Sequence, residues 1–400
     1  MKYPIGIQVF GEIRRDGYVY VDKTALVYKM VSEGKYYFLS RPRRFGKSLL
    51  LSTIDAYLSG KRDLFKGLAI EQLEKEWEEY PILRLDLNSR EYKDESSLEA
   101  ELNRHLESWE KIYGAEYRSR ATEERFLHVI ENAFEKTGKR VVVLVDEYDK
   151  PLLQTIDNSY LQDVYRSKLK AFYSVLKTQD AKIRFAFLTG VTKFGKVSVF
   201  SDLNNLVDIS FDKRYAEICG ITEKELKGNF DTSVEALAII NNITKNDCYK
   251  KLKEEYDGYH FSIDSDGLYN PFSVLNTLSS KQFSSYWFET GTPSFLVYQL
   301  KKTGYRLENI TKESLSSDVL NSIDIMDENP LPLLYQSGYL TLKGYDSRFG
   351  EYKLGFPNKE VEQGFIKYLL PYYTPKVQDK SSFAVSRFVQ DIEAGDCESF

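Results

Sequence analysis

The stretch Ser40-Arg41-Pro42-Arg43-Arg44-Phe45-Gly46-Lys47-Ser48-Leu49 follows the apolar run Tyr36-Tyr37-Phe38-Leu39 and leads into Leu49-Leu50-Leu51-Ser52-Thr53-Ile54. That order predicts a strand, a phosphate-binding loop and a helix. Such a loop aims successive backbone N–H groups at phosphate oxygens, beside a flexible Gly, a Lys that neutralises charge and a hydroxyl that ligates Mg²⁺. Gly46, Lys47 and Ser48 supply the last three. The pattern departs from G-x-x-x-x-G-K-[ST] at its first position, where Arg41 replaces the usual Gly and Pro42 can set the turn instead. Arg43 and Arg44 add cations where a triphosphate would bring negative charge. Arg41, Pro42, Arg43, Arg44, Phe45, Gly46, Lys47, Ser48 and Leu49 are therefore the candidate nucleotide-contacting set. The plainer alternative is a basic surface loop that ends in an ordinary Gly.

A second segment points the same way. Val141-Val142-Val143-Leu144-Val145 is apolar and β-branched and ends abruptly in Asp146-Glu147. It predicts a strand buried on both faces of a parallel sheet, with acids emerging beside the loop, where open α/β sheets place their ligands. Asp146 and Ser48 then form the metal set, Glu147 takes a proton from the attacking water, and Lys47 is the catalytic cation. The alternative is that the two acids merely end a strand. Segments 81–87, 184–191 and 207–211 read as further strands, and 98–109 and 160–176 as amphipathic helices, an alternation that predicts a helix-covered parallel sheet. In phosphate-loop ATPases with an extra strand between the loop strand and the acidic strand, a polar residue ends that extra strand. Thr189 takes that part as a third catalytic candidate, with Thr192 as its competitor, and each also reads as an ordinary β-branched strand residue. Lys193 and Lys196 could contact phosphate or a neighbouring subunit. Thr222-x-x-Glu225 predicts a capping box, and Asn270-Pro271 a helix start.

Composition bounds the alternatives. A chain of 400 residues suggests two or three domains, and 42% hydrophobic content provides ample core. No apolar run reaches the roughly 18 residues of a membrane span, and Met1-Lys2-Tyr3-Pro4 opens no signal-peptide core, so a cytoplasmic protein is expected. Cys219, Cys248 and Cys397 are widely spaced, which predicts neither a disulfide framework nor a zinc site. None of His105, His128 and His260 has a partner at metal-ligand spacing; all three read as structural or surface residues, with His260 the mildest of functional candidates. A net charge of −5 gives no global attraction to nucleic acid.

Several strings together resemble the AAA-ATPase-like family of bacterial and archaeal proteins. They are the 38–48 segment above, Val145-Asp146-Glu147-Tyr148-Asp149-Lys150-Pro151-Leu152, Tyr20-Val21-Asp22-Lys23-Thr24, Leu188-Thr189-Gly190-Val191-Thr192-Lys193-Phe194 and Tyr256-Asp257-Gly258-Tyr259-His260-Phe261, with Tyr269 to Leu275 and Tyr335 to Leu340 downstream. The resemblance runs from about Ile5 to about Lys367, and within it Arg41 is the normal residue at its position. It implies an α/β P-loop NTPase core over 1–221, with an additional strand between the P-loop and acidic strands. A helical lid over 222–284 and a winged-helix-like α+β module over 285–375 follow, and 376–400 would start a linker to a missing C-terminal domain. It also implies ATP and Mg²⁺ as ligands and ATP hydrolysis as the activity, coupled to a switch in nucleic-acid processing. The alternative is a nucleotide-gated module with little hydrolysis that engages DNA or a partner protein. Family members typically carry a PD-(D/E)XK nuclease-like domain after the ATPase; no persuasive copy occurs here, so no nuclease site is assigned. Arg184, Arg166 or Lys196 could act across a subunit boundary if the protein forms an oligomer.

Overall fold

Five strands, β1 (Tyr36–Ser40), β2 (Ile82–Asp86), β3 (Val141–Asp146), β4 (Ile183–Gly190) and β5 (Val207–Asp208), pair in parallel in the order β2-β3-β4-β1-β5. The computed structural model describes residues 1–114, 120–193, 196–289, 299–300, 302–305, 310, 313–321 and 329–373. β4 thus lies between the strand that leads into the Arg-rich loop and the strand that ends in acids, which is the arrangement the sequence suggested. Parallel neighbours need crossovers, and helices supply them, covering both faces of the sheet.

The alternation of side chains divides each strand between two cores. Tyr37, Leu39, Val142, Leu144, Phe185 and Phe187 face the helix Lys47–Leu58 through Leu50, Leu51 and Ile54. Tyr36, Phe38, Val141, Val143, Val145, Ala186 and Leu188 face the helices Glu95–Tyr113, Thr122–Thr137 and Ser159–Thr178. Because both faces are covered, the strands read as nearly continuous apolar runs with no polar alternation. The register sets Ser40 beside Gly190, Leu39 beside Thr189, and Asp86 beside Asp146, so the carboxyl ends of four strands lie level. β5 is shorter than the 207–211 expected, because Asp208 Oδ1 accepts the Ser210 N–H at 2.9 Å and turns the chain out of the sheet.

Three helices, Glu223–Ile240, Lys245–Tyr256 and Pro271–Ser280, build a separate apolar cluster around Leu226, Phe230, Leu252, Tyr256 and Val274. Thr222 and Glu225 form the expected capping box, and Asn270 caps the Pro271 helix by accepting from Phe272 N and Ser273 N. Tyr3, Val19 and Val21 pack on this cluster, so the amino-terminal segment straps the helices to the sheet. Farther along, β6 (Ser314–Ser316), β7 (Thr341–Asp346) and β8 (Glu351–Gly355) pair antiparallel in the order β6-β8-β7. The helices Ser317–Asn321, Leu331–Gln336 and Lys359–Tyr373 accompany them. The core on the Lys47–Leu58 side of the sheet continues without a break through Tyr335, Leu340, Leu342, Leu354 and Phe365. The whole of the expected linker, 376–400, lies outside the described residues, Cys397 included. Cys219 and Cys248 are buried free thiols.

Candidate functional site

At the carboxyl ends of the strands lies a cleft of about 320 Å³. Gly46, Lys47, Ser48 and Leu49 line it from one side, Glu147 and Lys150 from another, and Pro4 to Gln8, Arg43, Arg44, Asn88, Pro271, Phe272 and Leu275 complete the wall. The loop that enters it makes a sharp turn. Gly46 has φ +95° and is the N-cap of the Lys47–Leu58 helix, a left-handed position that glycine adopts without penalty. The first N–H groups of that helix have no carbonyl to bond within it, and the helix dipole adds partial positive charge at the same place. An anion is the natural complement.

Lys47 is 5% exposed. Its Nζ donates to the carbonyls of Arg41 (2.9 Å) and Pro42 (3.2 Å) and stands 3.6 Å from Glu147 Oε1. Glu147 has φ +54°, a conformation that costs a non-glycine residue roughly 1 kcal/mol and aims its side chain toward the loop. Two backbone bonds hold the turn: Tyr148 N donates to Thr189 O (2.9 Å) and Lys150 N to Glu147 O (3.0 Å). Burial pushes the Glu147 carboxyl above the usual glutamate value; Lys47 opposes the rise, and Asp149 and Asp146 add to it. Asp146 is 3% exposed and is not among the residues that line the cleft. Its Oδ1 accepts from Thr189 Oγ1 at 2.9 Å.

Of the two threonine candidates, Thr189 therefore touches the acid expected to serve the metal, whereas Thr192 serves the turn. Thr192 N (2.7 Å) and Oγ1 (2.8 Å) both donate to Asp149 Oδ2, and Val191 N (3.2 Å) donates to Asp149 Oδ1. Asp149 is fully buried. Burial raises its pKa against the pull of the Thr192 hydrogen bonds. Asp149 and Lys150 stand in the family-like string with no role of their own, and Asn88 stands in none of the motifs. The only local signal for any of them was their place just after an acidic or apolar strand end.

The loop residues divide by placement. Arg41 does not face the cleft. Its guanidinium is 1% exposed; Nη1 donates to Ser40 O (3.0 Å) and Ser210 O (2.8 Å), and Nη2 to Tyr215 O (3.3 Å) and Ala216 O (3.4 Å). The guanidinium also lies 4.0 Å over the Phe261 ring, and the Arg41 N–H donates to Gly190 O. Arg41 thus clamps the loop to the chain beyond β5. Replacing it with Met should leave four carbonyls without their donors and lower unfolding free energy by about 2–4 kcal/mol. Arg41→Lys should restore little of this, because an ammonium cannot span a fork of carbonyls. Equal denaturant midpoints for all three proteins would contradict that account. Phe45 is likewise buried, edge-on to Tyr259 (4.7 Å) and Phe261 (5.4 Å). Pro42 packs on Gly338, where an added Cβ would come within 2.6 Å of it. Arg44 lines the cleft with its guanidinium 4.9 Å over Phe272. The Arg43 carbonyl accepts from Trp287 Nε1 at 3.1 Å.

Lys193 is 2% exposed and turns from the cleft to the carboxyl-terminal module. Its N–H donates to Gln336 Oε1 (2.6 Å), while its Nζ meets Asn321 Oδ1 and pairs with Asp208 (2.8 Å). Arg184 sits at the amino-terminal end of β4 beside Tyr80, at the other edge of the sheet from the cleft. Arg166 lies on the Ser159–Thr178 helix, and the Lys196 side chain is outside the described residues. His260 Nδ1 lies 2.9 Å from Ser265 O within its own loop. A smaller apolar pocket of about 100 Å³ adjoins the cleft through Pro4, Gly46, Leu49, Pro271 and Leu275. Val19, Val21, Ile218, Ile221 and Phe230 line it, with Tyr20, Lys23 and Cys219 as its polar members. Among the described residues no cluster of three or more His, Cys, Asp or Glu is placed to hold a metal, and no helix is long and apolar enough to cross a membrane.

A mostly parallel α/β sheet whose first strand runs into a glycine-turned loop and lysine-headed helix, beside an acid-tipped strand, defines a P-loop-like nucleotide-binding class of protein. The chain belongs to the family described as "Predicted AAA-ATPase", whose model matches residues 4–200. It is 38% identical over 382 residues to an "Uncharacterized protein in vnfD 5'region" of Azotobacter chroococcum mcd 1, an alignment that covers 94% of this chain and 71% of that relative. No solved structure matches.

Proposed function

We propose that the protein binds ATP with Mg²⁺ in the 320 Å³ cleft and hydrolyses it, the chemistry serving as a nucleotide-driven switch. The observation that carries this reading is the approach of Lys47 Nζ to Glu147 Oε1 at 3.6 Å, because it joins the loop and the acidic strand in one small space. Lys47, the amides of Gly46 to Ser48, and the side chains of Arg43 and Arg44 hold the phosphates. Ser48 and Asp146 fit a hard cation that keeps most of its waters, since their donors are a hydroxyl and a carboxylate and, among the described residues, no larger acid cluster competes. When bound, Mg²⁺ neutralises charge on the transferring phosphoryl group. Glu147 orients the attacking water and accepts its proton, and Thr189 fixes the Asp146 carboxylate through its 2.9 Å hydrogen bond. The adjoining apolar pocket has room for a flat base between Val19, Ile221 and Phe230, which supports a nucleotide over inorganic polyphosphate.

The helices from Glu223 to Ser280 act as the lid, through Pro271, Phe272 and Leu275 on the cleft wall. The module with β6 to β8 is winged-helix-like and acts as the part that responds. The contacts Trp287 to Arg43, Gly338 to Pro42 and Gln336 to Lys193 favour a switch, because any shift of the loop or of the β4 end on nucleotide binding must be absorbed there. Steady-state phosphate release with ATP, with and without DNA, tests the reading. Turnover should need Mg²⁺ and vanish with excess EDTA, and nucleotide-independent or EDTA-insensitive release would overturn it.

A further inference from the structure

Of Lys47, Arg44 and Lys150 on the cleft wall, Lys150 is the one whose position no described contact explains. Lys47 is bonded to two carbonyls and faces Glu147, and Arg44 stacks on Phe272. The Lys150 side chain makes no hydrogen bond or ion pair among the described residues, although it is partly buried and lines the cleft with Ser48, Asn88 and Glu147. No carboxylate closes on the Lys150 side chain as an ion pair among the described residues, although Glu147 lines the same cleft.

Its backbone is fixed more firmly than a surface lysine requires. Lys150 N closes the turn onto Glu147 O (3.0 Å). Asp149, between the two, is fully buried and anchored by three donors at the end of β4. Pro151 follows at once and starts the Lys150–Gln154 helix. One rigid turn therefore presents both Glu147 and Lys150 to the cleft, and the positive charge of Lys150 is felt at the Glu147 carboxyl. Hydrolysis forms a bond from the water oxygen to the γ-phosphorus as the bond to the ADP oxygen breaks. The water's proton passes to Glu147, and negative charge spreads over the equatorial oxygens and the leaving group. Lys47 and Arg44 belong to the loop side of the cleft, whereas Lys150 stands on the turn that carries Glu147.

We propose that Lys150 is a catalytic residue of this chain, its ammonium contacting the terminal phosphate of ATP and supplying in cis the cation that other phosphate-loop enzymes take from a partner. The proposal rests on the ATPase reading above. It makes Lys150 a discriminator of ATP from ADP, because only the terminal phosphate reaches it.

The test is single-turnover hydrolysis, together with ATP and ADP dissociation constants, for the full chain and for Lys150→Ala, Lys150→Gln and Lys150→Arg. The Ala and Gln variants should lose about 10²- to 10³-fold in single-turnover rate. Their ATP affinity should fall roughly tenfold while ADP affinity changes less than about threefold, so the preference for ATP collapses. Unchanged ADP binding also shows that the variants fold. Lys150→Arg should recover a large part of the rate, and wild-type turnover per molecule should not rise with protein concentration. A Lys150→Ala protein with wild-type rate and wild-type ATP-to-ADP preference overturns this assignment and leaves the ATPase reading standing. Wild-type protein that binds no ATP overturns both.

Discussion

Glu147→Gln should lower ATP turnover by about 10²- to 10³-fold while leaving nucleotide affinity intact or tighter, because the amide fills the same space but cannot take a proton. The geometry argues for this size of effect. Glu147 is forced into a left-handed backbone conformation and sits 3.6 Å from the lysine expected to hold the phosphates. The Tyr148 and Lys150 backbone bonds on either side hold Glu147 in that conformation. The pH dependence follows with a definite sign. Burial raises the carboxyl's pKa, and only its ionised form is a base, so wild-type turnover should fall on acidification at a higher pH than for an ordinary glutamate. The residual activity of the Gln variant should lack that acid limb. Turnover within a factor of two of wild type, with the acid limb retained, would remove Glu147 from the chemistry.

The second large effect belongs to Lys47. Lys47→Ala should weaken ATP binding by about 2–3 kcal/mol, a factor of roughly 30 to 150, because it removes a charge-assisted contact to phosphate in a partly desolvated cleft. It also takes donors from the carbonyls of Arg41 and Pro42 and the counter-charge from Glu147. A modest loss of stability, about 1 kcal/mol, is therefore expected without nucleotide. The two losses separate in one experiment. Thermal unfolding of wild-type protein should shift upward with added MgATP, and that of the variant should shift much less at the same MgATP concentration, whatever its starting point. An equal MgATP shift in both proteins would mean that Lys47 does not hold the ligand.

What could be read in advance, and what could not, divides by the distance over which each residue finds its partner. β1, β3 and β4 were legible because both faces are largely buried and the residues run mostly apolar up to their polar carboxyl ends. The Thr222 and Glu225 capping box was legible because its two bonds span three residues. Arg41 was not. Its side chain ends at the carbonyls of Ser210, Tyr215 and Ala216, about 170 positions away, and only the folded chain shows that a cation placed in a phosphate loop is turned inward. Asp149 was missed for the same reason, since its donors come from the end of β4. Asn88 follows β2, and its place at the cleft depends on β2 pairing beside β3. The two-residue β5 reflects a local contest in which the Asp208 side chain captured Ser210 before the strand could extend.

A crystal structure of the full chain with a non-hydrolysable ATP analogue and Mg²⁺ tests the central claim most directly. The account predicts the β- and γ-phosphates within hydrogen-bond reach of Lys47 Nζ and the amides of Gly46 to Ser48, with the metal on the Ser48 side facing Asp146 and Glu147 beside the terminal phosphate. An analogue bound elsewhere, or bound with Glu147 remote from its last phosphate, would contradict it.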